Sequence, residues 1–234
     1  MSGLAIEELY ASRAGGLVLR GCSVEAPAGR VTVLLGANGA GKTTLLETVS
    51  GVIPADRGRI LVDGEDIAHA SRRRRARLGV AHVEQGRTVF RHLTVAENLR
   101  AAGHGARAVA AALETFPELE PRMGTRAGDL SGGEQQMVVL ARALAGEPRV
   151  LLVDEMSLGL APIVVQRLLP ILRAAADGGM AVLLVEQFAP LALSIGDRAY
   201  VLGRGAVVLD GEASSLAGKT DVLRGAYLGE ATVA

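Results

Sequence analysis

The sequence has few of the features that nucleic-acid-binding proteins use. Its 234 residues include no Trp, and aromatic residues make up only 3% of the chain. The 25 basic residues are balanced by 25 acidic ones, so the formal net charge is +0. Stacking of bases needs aromatic side chains, and binding to phosphate backbones needs an excess of positive charge. We therefore expect no nucleic acid among its partners.

Cysteine and long apolar runs are also scarce. Cys22 is the only cysteine, which excludes a disulfide within the chain and is consistent with a reducing cytosol. Its apolar surroundings favour a small core residue over a nucleophile. The longest apolar runs, such as residues 180–185, are far too short to span a bilayer, and we expect no signal peptide at the N-terminus. Any membrane-spanning part is expected to belong to another chain.

What the sequence does contain is a phosphate-binding loop. Residues 36–44 read Gly-Ala-Asn-Gly-Ala-Gly-Lys-Thr-Thr and fit the pattern G-x-x-x-x-G-K-[ST]. An apolar strand is predicted before the loop, over residues 31–35, and a helix after it. Backbone N–H groups in such a loop converge on phosphate oxygens, and the helix adds its positive end. A glycine-rich turn that binds nothing is the alternative, but the strand and helix favour nucleotide binding.

Individual residues of this loop have predicted roles in binding a triphosphate and its metal. Its glycines allow unusual backbone angles and keep side chains out of the way. Lys42 supplies a positive charge for the β and γ phosphates, and the Thr43 hydroxyl is placed to ligate Mg²⁺. The predicted ATP-binding residues of the loop are Gly36, Asn38, Gly39, Ala40, Gly41, Lys42, Thr43 and Thr44.

Polar residues follow three of the predicted strands. Gln85 comes shortly after one strand, Asp154 and Glu155 end a second, and Gln187 follows a third. The carboxyl ends of parallel strands are where α/β sheets place their ligand contacts. Gln85 is predicted to reach the metal or the attacking water, Asp154 to hold Mg²⁺, and Glu155 to polarise water. Adjacent acids after a buried strand are costly unless they meet cations, which favours a functional interpretation.

A second glycine-rich helix start lies between these motifs. Residues 130–136 read Leu-Ser-Gly-Gly-Glu-Gln-Gln and lead into an apolar helix up to Ala145. A Ser-Gly-Gly turn at a helix N-terminus is suited to bind an anion, although an ordinary helix capped by Ser131 is the alternative. Either one chain folds both helix starts onto one nucleotide, or two chains share them.

The order of these motifs resembles that of the ATP-binding subunits of ABC transporters, and the resemblance covers essentially the whole chain. It implies an α/β fold, with a P-loop NTPase (RecA-like) core, an N-terminal antiparallel β subdomain and an inserted α-helical subdomain. It also implies a single ABC ATPase domain over residues 1–234. Within it, residues 1–85 and 146–234 are expected to form the core and β subdomain, and residues 86–145 the helical subdomain with the signature.

The resemblance further implies that two ATPase subunits pack head to tail and share two ATP molecules. The signature residues that would contact the partner's ATP are Ser131, Gly132, Gly133 and Glu134. Glu155 and Gln187 would be catalytic, and Thr43, Gln85 and Asp154 would hold Mg²⁺. The expected partners are a second ATPase subunit, identical or different, transmembrane permease subunits and, indirectly, a solute-binding protein. The chain would then be a peripheral protein on the cytoplasmic face of the cell membrane.

Finer features are similar to importers of branched-chain amino acids, and in particular to the shorter of their two ATPase subunits (LivF-type). The similar segments are residues 85–90, 157–162, 185–187 and 226–229. Urea and short-chain amide importers share the segment 185–187 and remain an alternative. The motifs are also compatible with a soluble ABC ATPase of DNA repair or translation, and with a regulatory module that binds nucleotide without hydrolysing it.

Some positions depart from the family pattern. Gln187 stands where the family usually has His, and its amide can donate a hydrogen bond to a phosphate but cannot titrate near neutral pH. Arg13 stands near the position where the family stacks an aromatic ring on adenine. A guanidinium can also stack on a base, so Arg13 is the predicted adenine contact, with Tyr10 three residues earlier. Met156 and Gly159 replace a Pro and an Asp that the family usually has there.

The one dense run of charge is Ser-Arg-Arg-Arg-Arg-Ala-Arg at residues 71–77. A site for nucleic acid or anionic lipid is one interpretation. Because the run is short and the total charge is balanced, we predict a solvated helix face instead.

Overall fold

The computed structural model of the chain describes residues 2–102 and 105–228. Within these ranges the strands, numbered in chain order, are β1 (Gly3–Arg13), β2 (Gly16–Pro27), β3 (Val31–Gly36), β4 (Arg57–Val62), β5 (Glu65–Asp66), β6 (Val80–Val83), β7 (Val150–Asp154), β8 (Ala181–Val185), β9 (Arg198–Gly203) and β10 (Ala206–Glu212). The helices are α1 (Lys42–Ser50), α2 (Arg72–Arg77), α3 (Val95–Arg100), α4 (Gly105–Thr115), α5 (Gly132–Leu144), α6 (Pro162–Asp177), α7 (Ala189–Leu193), α8 (Ala213–Leu216) and α9 (Thr220–Leu228). Gly229, which ends one of the importer-like segments, lies outside the described residues.

The strands form two sheets. The antiparallel sheet has the order β2-β1-β4-β5, and the larger sheet has the order β10-β9-β3-β8-β7-β6. In the larger sheet β10 pairs antiparallel with β9, whereas all the other neighbours are parallel. Parallel neighbours need long crossover connections, which here contain helices. The carboxyl ends of β3, β6, β7 and β8 therefore meet at one edge of the sheet.

Two hydrophobic cores cover opposite faces of the parallel sheet. Val33 of β3 belongs to a core that includes residues of α5 and α6, and Leu34 belongs to a core formed with α1 and the antiparallel sheet. All residues of β3, β7 and β8 are buried. Successive residues of a strand face opposite sides, so a strand buried on both sides has an uninterrupted apolar sequence. This is why the central strands were recognisable from sequence.

The region between β6 and β7 contains α3, α4 and α5. The first part of this region forms α3, α4 and a 3-10 helix at Pro117–Arg122. Pro117 begins that 3-10 helix, since its missing N–H costs nothing at a helix start. Thr94 caps α3 in a capping box with Glu97. Division of the chain at residues 86 and 145 stays a prediction.

The arginine run forms α2, but one of its members is a structural residue. Arg75 is only 2% exposed, and its guanidinium donates hydrogen bonds to four backbone carbonyls, those of Thr48, Val49, Ala68 and Ala70. Two of these carbonyls lie in the last turn of α1, where carbonyl groups lack the usual helical donor four residues on, although the N–H of Gly51 also donates to that of Thr48. The prediction of a solvated face was therefore wrong for Arg75, whereas Arg72, Arg73, Arg74 and Arg77 are exposed.

Cys22 lies in the core beneath the antiparallel sheet. It is fully buried, which confirms the predicted role as a small core residue, and burial raises the pKa of its thiol to about 12. None of the helices in the described part of the chain is long and apolar enough to cross a membrane.

Candidate functional site

The phosphate loop connects β3 to α1, as predicted. Gly36 and Gly41 have φ angles of 153° and 109°, which other residues rarely adopt. A side chain at position 36 would also place its Cβ 2.5 Å from the carbonyl oxygen of Leu202. Gly41 is the N-cap of α1, so the free N–H groups of the first helical turn face the loop. The geometry thus requires glycine at both positions.

The loop borders a cavity of about 350 Å³. The residues that line it are Arg13, Val18, Asn38, Gly39, Gly41, Lys42, Thr43, Thr44, Gln85 and Glu155. The structure therefore brings most of the predicted loop residues together with the predicted Gln85, Glu155 and Arg13. Gly36 and Ala40 do not line this cavity, and the side chain of Ala40 packs in the core.

Lys42 projects its ammonium group into the loop. Its Nζ donates to the carbonyl oxygens of Gly36 at 2.9 Å and Ala37 at 3.2 Å. It also lies 3.5 Å from Oε1 of Glu155. A buried ammonium group needs such acceptors, and it is available to an anion that enters the cavity.

Asp154 ends β7 with its carboxylate buried. It is 1% exposed, and neither of its oxygens has a hydrogen-bond partner among the residues that the structure describes. Burial raises its pKa to about 6, and the Glu155 carboxylate adds to the rise. Lys42 and the Thr43 hydroxyl lower the pKa, although the hydroxyl does not reach hydrogen-bond geometry. A carboxylate in this position is stabilised by a cation.

This donor set fits Mg²⁺. The ion usually takes one or two carboxylates, a few water molecules and the oxygens of a bound phosphate, rather than a cage made only of protein. The Asp154 carboxylate has no other partner and lies beside the Thr43 hydroxyl. In the described residues no group of three or more His, Cys, Asp or Glu side chains is placed to bind a metal. Phosphate oxygens are therefore needed to complete the coordination.

Glu155 lies at the edge of the cavity, directly after Asp154. Its φ angle of 42° is in the left-handed region, an uncommon conformation that is often found at functional sites. Its backbone N–H donates to the carbonyl oxygen of Val185 in β8. Its carboxylate accepts a hydrogen bond of 2.9 Å from Nε2 of Gln85 and faces Lys42 on the other side. The carboxylate is thus held in one orientation.

Gln187 does not line the phosphate cavity. It borders an adjoining cavity of about 450 Å³ together with Ser157, Gly159 and Phe188. Glu155 lines both cavities and so lies between Gln187 and the phosphate loop. Gln187 is therefore near the predicted catalytic acid, but not against the loop itself.

The signature residues lie at the start of α5, away from the phosphate cavity of the same chain. Ser131 is the N-cap: its Oγ accepts from the N–H of Glu134 at 3.3 Å, and the Glu134 carboxylate accepts from the N–H of Ser131 at 2.8 Å. None of the residues 131–134 lines the cavity. The N-termini of α1 and α5 therefore do not face the same phosphate cavity within this chain.

Sequence reasoning missed two residues of this region. Val18 lines the cavity next to Arg13, which forms an ion pair with Glu47 at 2.6 Å. Tyr10 packs instead against the guanidinium of Arg57, 4.3 Å from the ring centre. The exposed segment around Val18 gave no local signal, because its proximity to the loop arises only from the packing of β2.

Glu186 is the second missed residue. It is 1% exposed, and its carboxylate accepts hydrogen bonds from the N–H of Ser157 at 3.1 Å and from its Oγ at 2.5 Å. Burial raises the pKa of this carboxyl group, and the two Ser157 hydrogen bonds lower it. An acid at the end of an apolar strand was the available signal. The structure shows that it holds the segment after Glu155.

Comparisons with known proteins identify the family. Residues 19–157 match the ABC transporter family. The high-affinity branched-chain amino acid transport ATP-binding protein BraG of Pseudomonas aeruginosa is 43% identical over 217 residues, which cover 90% of this chain and 93% of BraG. A probable branched-chain amino acid transport ATP-binding protein, LivF of Archaeoglobus fulgidus, is 38% identical, with 80% and 82% coverage. The lipopolysaccharide export system ATP-binding protein LptB of Haemophilus influenzae is 33% identical, with 98% coverage of each chain.

The fold is found in solved structures as well. A nucleotide-free ATP-binding cassette from an ABC transporter superimposes with a TM-score of 0.86 at 23% identity, covering 97% of this chain and 99% of that one. This confirms the predicted P-loop NTPase core with its antiparallel β subdomain. The chain therefore belongs to the ABC transporter family, and it is an ATPase subunit similar to the LivF-type proteins.

Proposed function

We propose that the chain binds ATP with Mg²⁺, hydrolyses it at the interface of two ATPase subunits, and thereby powers the import of branched-chain amino acids. The observation that carries this proposal is the position of Glu155. Its carboxylate lies at the edge of the phosphate cavity, 3.5 Å from Nζ of Lys42 and 2.9 Å from Nε2 of Gln85. An acid held beside a phosphate-binding lysine is suited to accept a proton from an attacking water.

The phosphate loop and its neighbours bind the nucleotide in this proposal. Asn38, Gly39, Gly41 and Thr44 line the cavity and surround the phosphates, while Lys42 exchanges its carbonyl acceptors for phosphate oxygens. Gly36 and Ala40 act through the loop conformation rather than by facing the cavity. Arg13 and Val18 border the cavity on the side of β1 and β2, which supports adenine binding there.

Asp154, Thr43 and Gln85 would hold the metal, Gln85 through its amide oxygen, since its Nε2 donates to Glu155. When bound, Mg²⁺ would supply charge neutralisation for the terminal phosphates and polarise the phosphoryl group that is transferred. Gln187 approaches from the adjoining cavity and donates its amide N–H to the terminal phosphate or to the water.

A second ATPase subunit completes the site. Ser131, Gly132, Gly133 and Glu134 do not line their own phosphate cavity, which supports engagement of the α5 N-terminus by the ATP of a partner, identical or different. ATP then favours the closed pair, because only closure engages the signature with the terminal phosphate. The arrangement is two-fold or pseudo-two-fold.

The solute and the membrane partners are inferred from the relatives. BraG and LivF are named for branched-chain amino acid transport, at 43% and 38% identity. LptB, named for lipopolysaccharide export, is less similar at 33% identity. These values favour import of branched-chain amino acids over export of lipopolysaccharide, and import of urea or short-chain amides is the alternative. The chain would act at the cytoplasmic face of the membrane, with permease subunits and, indirectly, a solute-binding protein.

Turnover of ATP tests the mechanism. We expect Glu155→Gln to lower kcat by at least about 100-fold, the usual contribution of a general base, and to accumulate an ATP-dependent dimer. Glu114→Gln changes an exposed acid in α4 and is the matched control. Its kcat and its ATP-dependent dimerisation should equal those of the unaltered chain. Size-exclusion chromatography with ATP and Mg²⁺ follows the dimer. A Glu155→Gln variant that hydrolyses ATP at the original rate would falsify the proposed role of Glu155.

Reconstitution tests the solute. The chain and its co-purifying permease are placed in vesicles that enclose ATP and Mg²⁺ in the lumen, and the solute-binding protein is added outside. Complexes whose ATPase subunits face the lumen then transport solute into the vesicle. Uptake of leucine, isoleucine and valine should depend on ATP, whereas urea and acetamide should not be taken up. No turnover even in the complete complex would instead support a regulatory module that binds nucleotide without hydrolysing it.

A further inference from the structure

Two hydrogen-bonded links join the same pair of loops. Nε2 of Gln85 donates to Glu155 at 2.9 Å, beside the phosphate cavity. Two residues later, Nη2 of Arg87 donates to the carbonyl oxygen of Gly159 at 2.7 Å and lies 3.5 Å from that of Leu158. The first link connects side chains at the site, and the second connects a side chain to the backbone of the loop that follows Glu155. The two loops are thus fastened at two separate points.

The guanidinium of Arg87 also occupies the space left by a signature glycine. A Cβ atom at position 132 would lie 2.7 Å from Nη1 and 2.8 Å from Cζ of Arg87. Gly132 does not have a positive φ angle, so its backbone does not require glycine, but a side chain there would displace the end of the Arg87 side chain. A Cβ atom at Gly159 would lie 3.0 Å from Nη2. Arg87 therefore fits between the signature turn and the loop after Glu155.

The segment after Arg87 is anchored to α5 from the other side. Nη2 of Arg142, in the last turn of α5, donates to the carbonyl oxygen of Thr88 at 2.7 Å. The same guanidinium lies over the ring of Phe90, 4.6 Å from its centre. Arg142 thus fixes this segment to the signature helix, and Arg87 connects it to Gly159. The two arginines thus link α5, the segment after Gln85 and the loop after Glu155.

The charge of Arg87 is not neutralised by an acid. Among residues 2–102 and 105–228, no carboxylate lies within 4.0 Å of its guanidinium, and both of its hydrogen-bond acceptors are carbonyl oxygens. Arginine stays protonated in proteins, and its planar fork suits two neighbouring acceptors. Its contacts are therefore charge-assisted hydrogen bonds, which are stronger than neutral ones.

We propose that Arg87 is a positioning residue that holds the loop after Glu155 against the start of the signature helix, so that Glu155 keeps its place beside the phosphate cavity. The inference rests on the proposed function. The bonds from Arg87 to the carbonyls of Leu158 and Gly159 join the two loops independently of the Gln85 link. Arg87 does not line the phosphate cavity, so its loss should impair turnover and leave nucleotide binding intact.

Three variants test the proposal. Arg87→Met removes the charge and the N–H donors but keeps an apolar side chain of similar length. Arg87→Lys keeps the charge but replaces the planar guanidinium by an ammonium group. Arg20→Met is the matched control, because Arg20 is exposed and donates to a single carbonyl, that of Leu17, outside the site. The first readout is amide hydrogen exchange at Leu158 and Leu160, whose N–H groups bond to the carbonyls of Glu155 and Ser157. This readout needs neither turnover nor a partner.

We expect Arg87→Met to speed exchange at these two amides by about tenfold or more, Arg87→Lys to speed it less, and Arg20→Met to leave it unchanged. The second readout is the Kd for a fluorescent ATP analogue and kcat, measured in the assembled complex. Arg87→Met should keep Kd within about twofold and lower kcat at least tenfold, with partial recovery in Arg87→Lys.

Unchanged exchange in Arg87→Met would overturn the proposal, as would unchanged kcat. A parallel loss of nucleotide binding would also overturn it, because Arg87 would then act on the cavity itself. Absence of turnover in the unaltered complex would count against the proposed function instead. In that case the exchange data still decide whether Arg87 fastens the two loops.

Discussion

Lys42 and Glu155 form an ion pair in which both side chains are shielded from solvent. Their charged atoms are 3.5 Å apart, and the side chains are 5% and 13% exposed. Lys42 is also held by two carbonyl oxygens of the loop. A phosphate that enters the cavity must therefore compete for the lysine with groups of its own loop. This competition leads to the first prediction.

Replacing Lys42 by Met should weaken ATP binding by about 10- to 100-fold, since a hydrogen bond to a charged group contributes about 1.5–3 kcal/mol. Lys219→Met is the matched control, because Lys42 and Lys219 are the only lysines in the sequence and Lys219 is exposed. Titration with a fluorescent ATP analogue measures both affinities. Equal affinities for the two variants would contradict the assignment of Lys42 to the phosphates.

Asp154→Asn should stabilise the protein without ligand while weakening its Mg²⁺-dependent binding of ATP. The pKa of Asp154 is raised from 3.8 to about 6, so ionisation of this buried acid opposes folding at neutral pH. A rise of about two pH units corresponds to roughly 3 kcal/mol, and we expect a gain of about 1–3 kcal/mol in the free energy of unfolding at pH 7.5.

Urea titrations at several pH values check this prediction. The gain from Asp154→Asn should shrink as the pH falls through 6 and vanish below about 3.8, where Asp154 is protonated in both the folded and unfolded states. ATP affinity with and without Mg²⁺ is measured on the same samples. A loss of stability at pH 7.5, or ATP binding with an unchanged Mg²⁺ dependence, would be the contrary result.

His82 should make the fold sensitive to mild acid. Burial and, to a smaller extent, the nearby Arg72 charge lower its pKa from 6.5 to about 4. The unfolded chain binds a proton below pH 6.5 that the folded chain does not bind until about pH 4, so stability is lost as the pH falls across this window. We expect a loss of about 1–3 kcal/mol between pH 7 and 4.5 from this residue.

His82→Gln should flatten that part of the pH profile, because glutamine does not titrate and can still bond to Oγ of Ser50, which lies 3.1 Å from Nδ1 of His82. His92→Gln changes an exposed histidine and serves as the control. Thermal unfolding from pH 7.5 to 4.5 is the measurement. Identical profiles for the original chain and His82→Gln would exclude His82 as the source of acid sensitivity.

Arg75→Met should destabilise the protein far more than Arg73→Met. Loss of Arg75 removes a guanidinium donor from four carbonyl groups, two of them at the end of α1, which follows the phosphate loop, and of these two the Thr48 carbonyl keeps the N–H of Gly51. We expect a loss of about 2–4 kcal/mol in the free energy of unfolding. Arg73 is exposed, and its replacement should cost less than about 0.5 kcal/mol. Chemical denaturation distinguishes the two, and equal losses would refute this account of Arg75.

The sequence predicted those parts of the site that depend on local pattern. The phosphate loop has glycines at fixed spacing, and the acids Asp154 and Glu155 end an uninterrupted apolar strand, so both were recognisable without a structure. Arg75 and Arg73 look alike in sequence, because only the approach of α1 to α2 distinguishes a buried guanidinium from a solvated one. Arg87 was inconspicuous for the same reason, since Gly132 and Gly159 reach it from distant parts of the chain.

The burial of Cys22 has a practical consequence for studying assembly. A thiol with a pKa of about 12 exists as thiolate in only about one part in 10⁵ at pH 7, and it is fully enclosed by the core. Maleimide and disulfide reagents therefore have no reactive target on the folded chain as it stands. A single cysteine introduced at an exposed signature or phosphate-loop position becomes a selective label. The native chain can thus serve directly as the background for cross-linking two subunits.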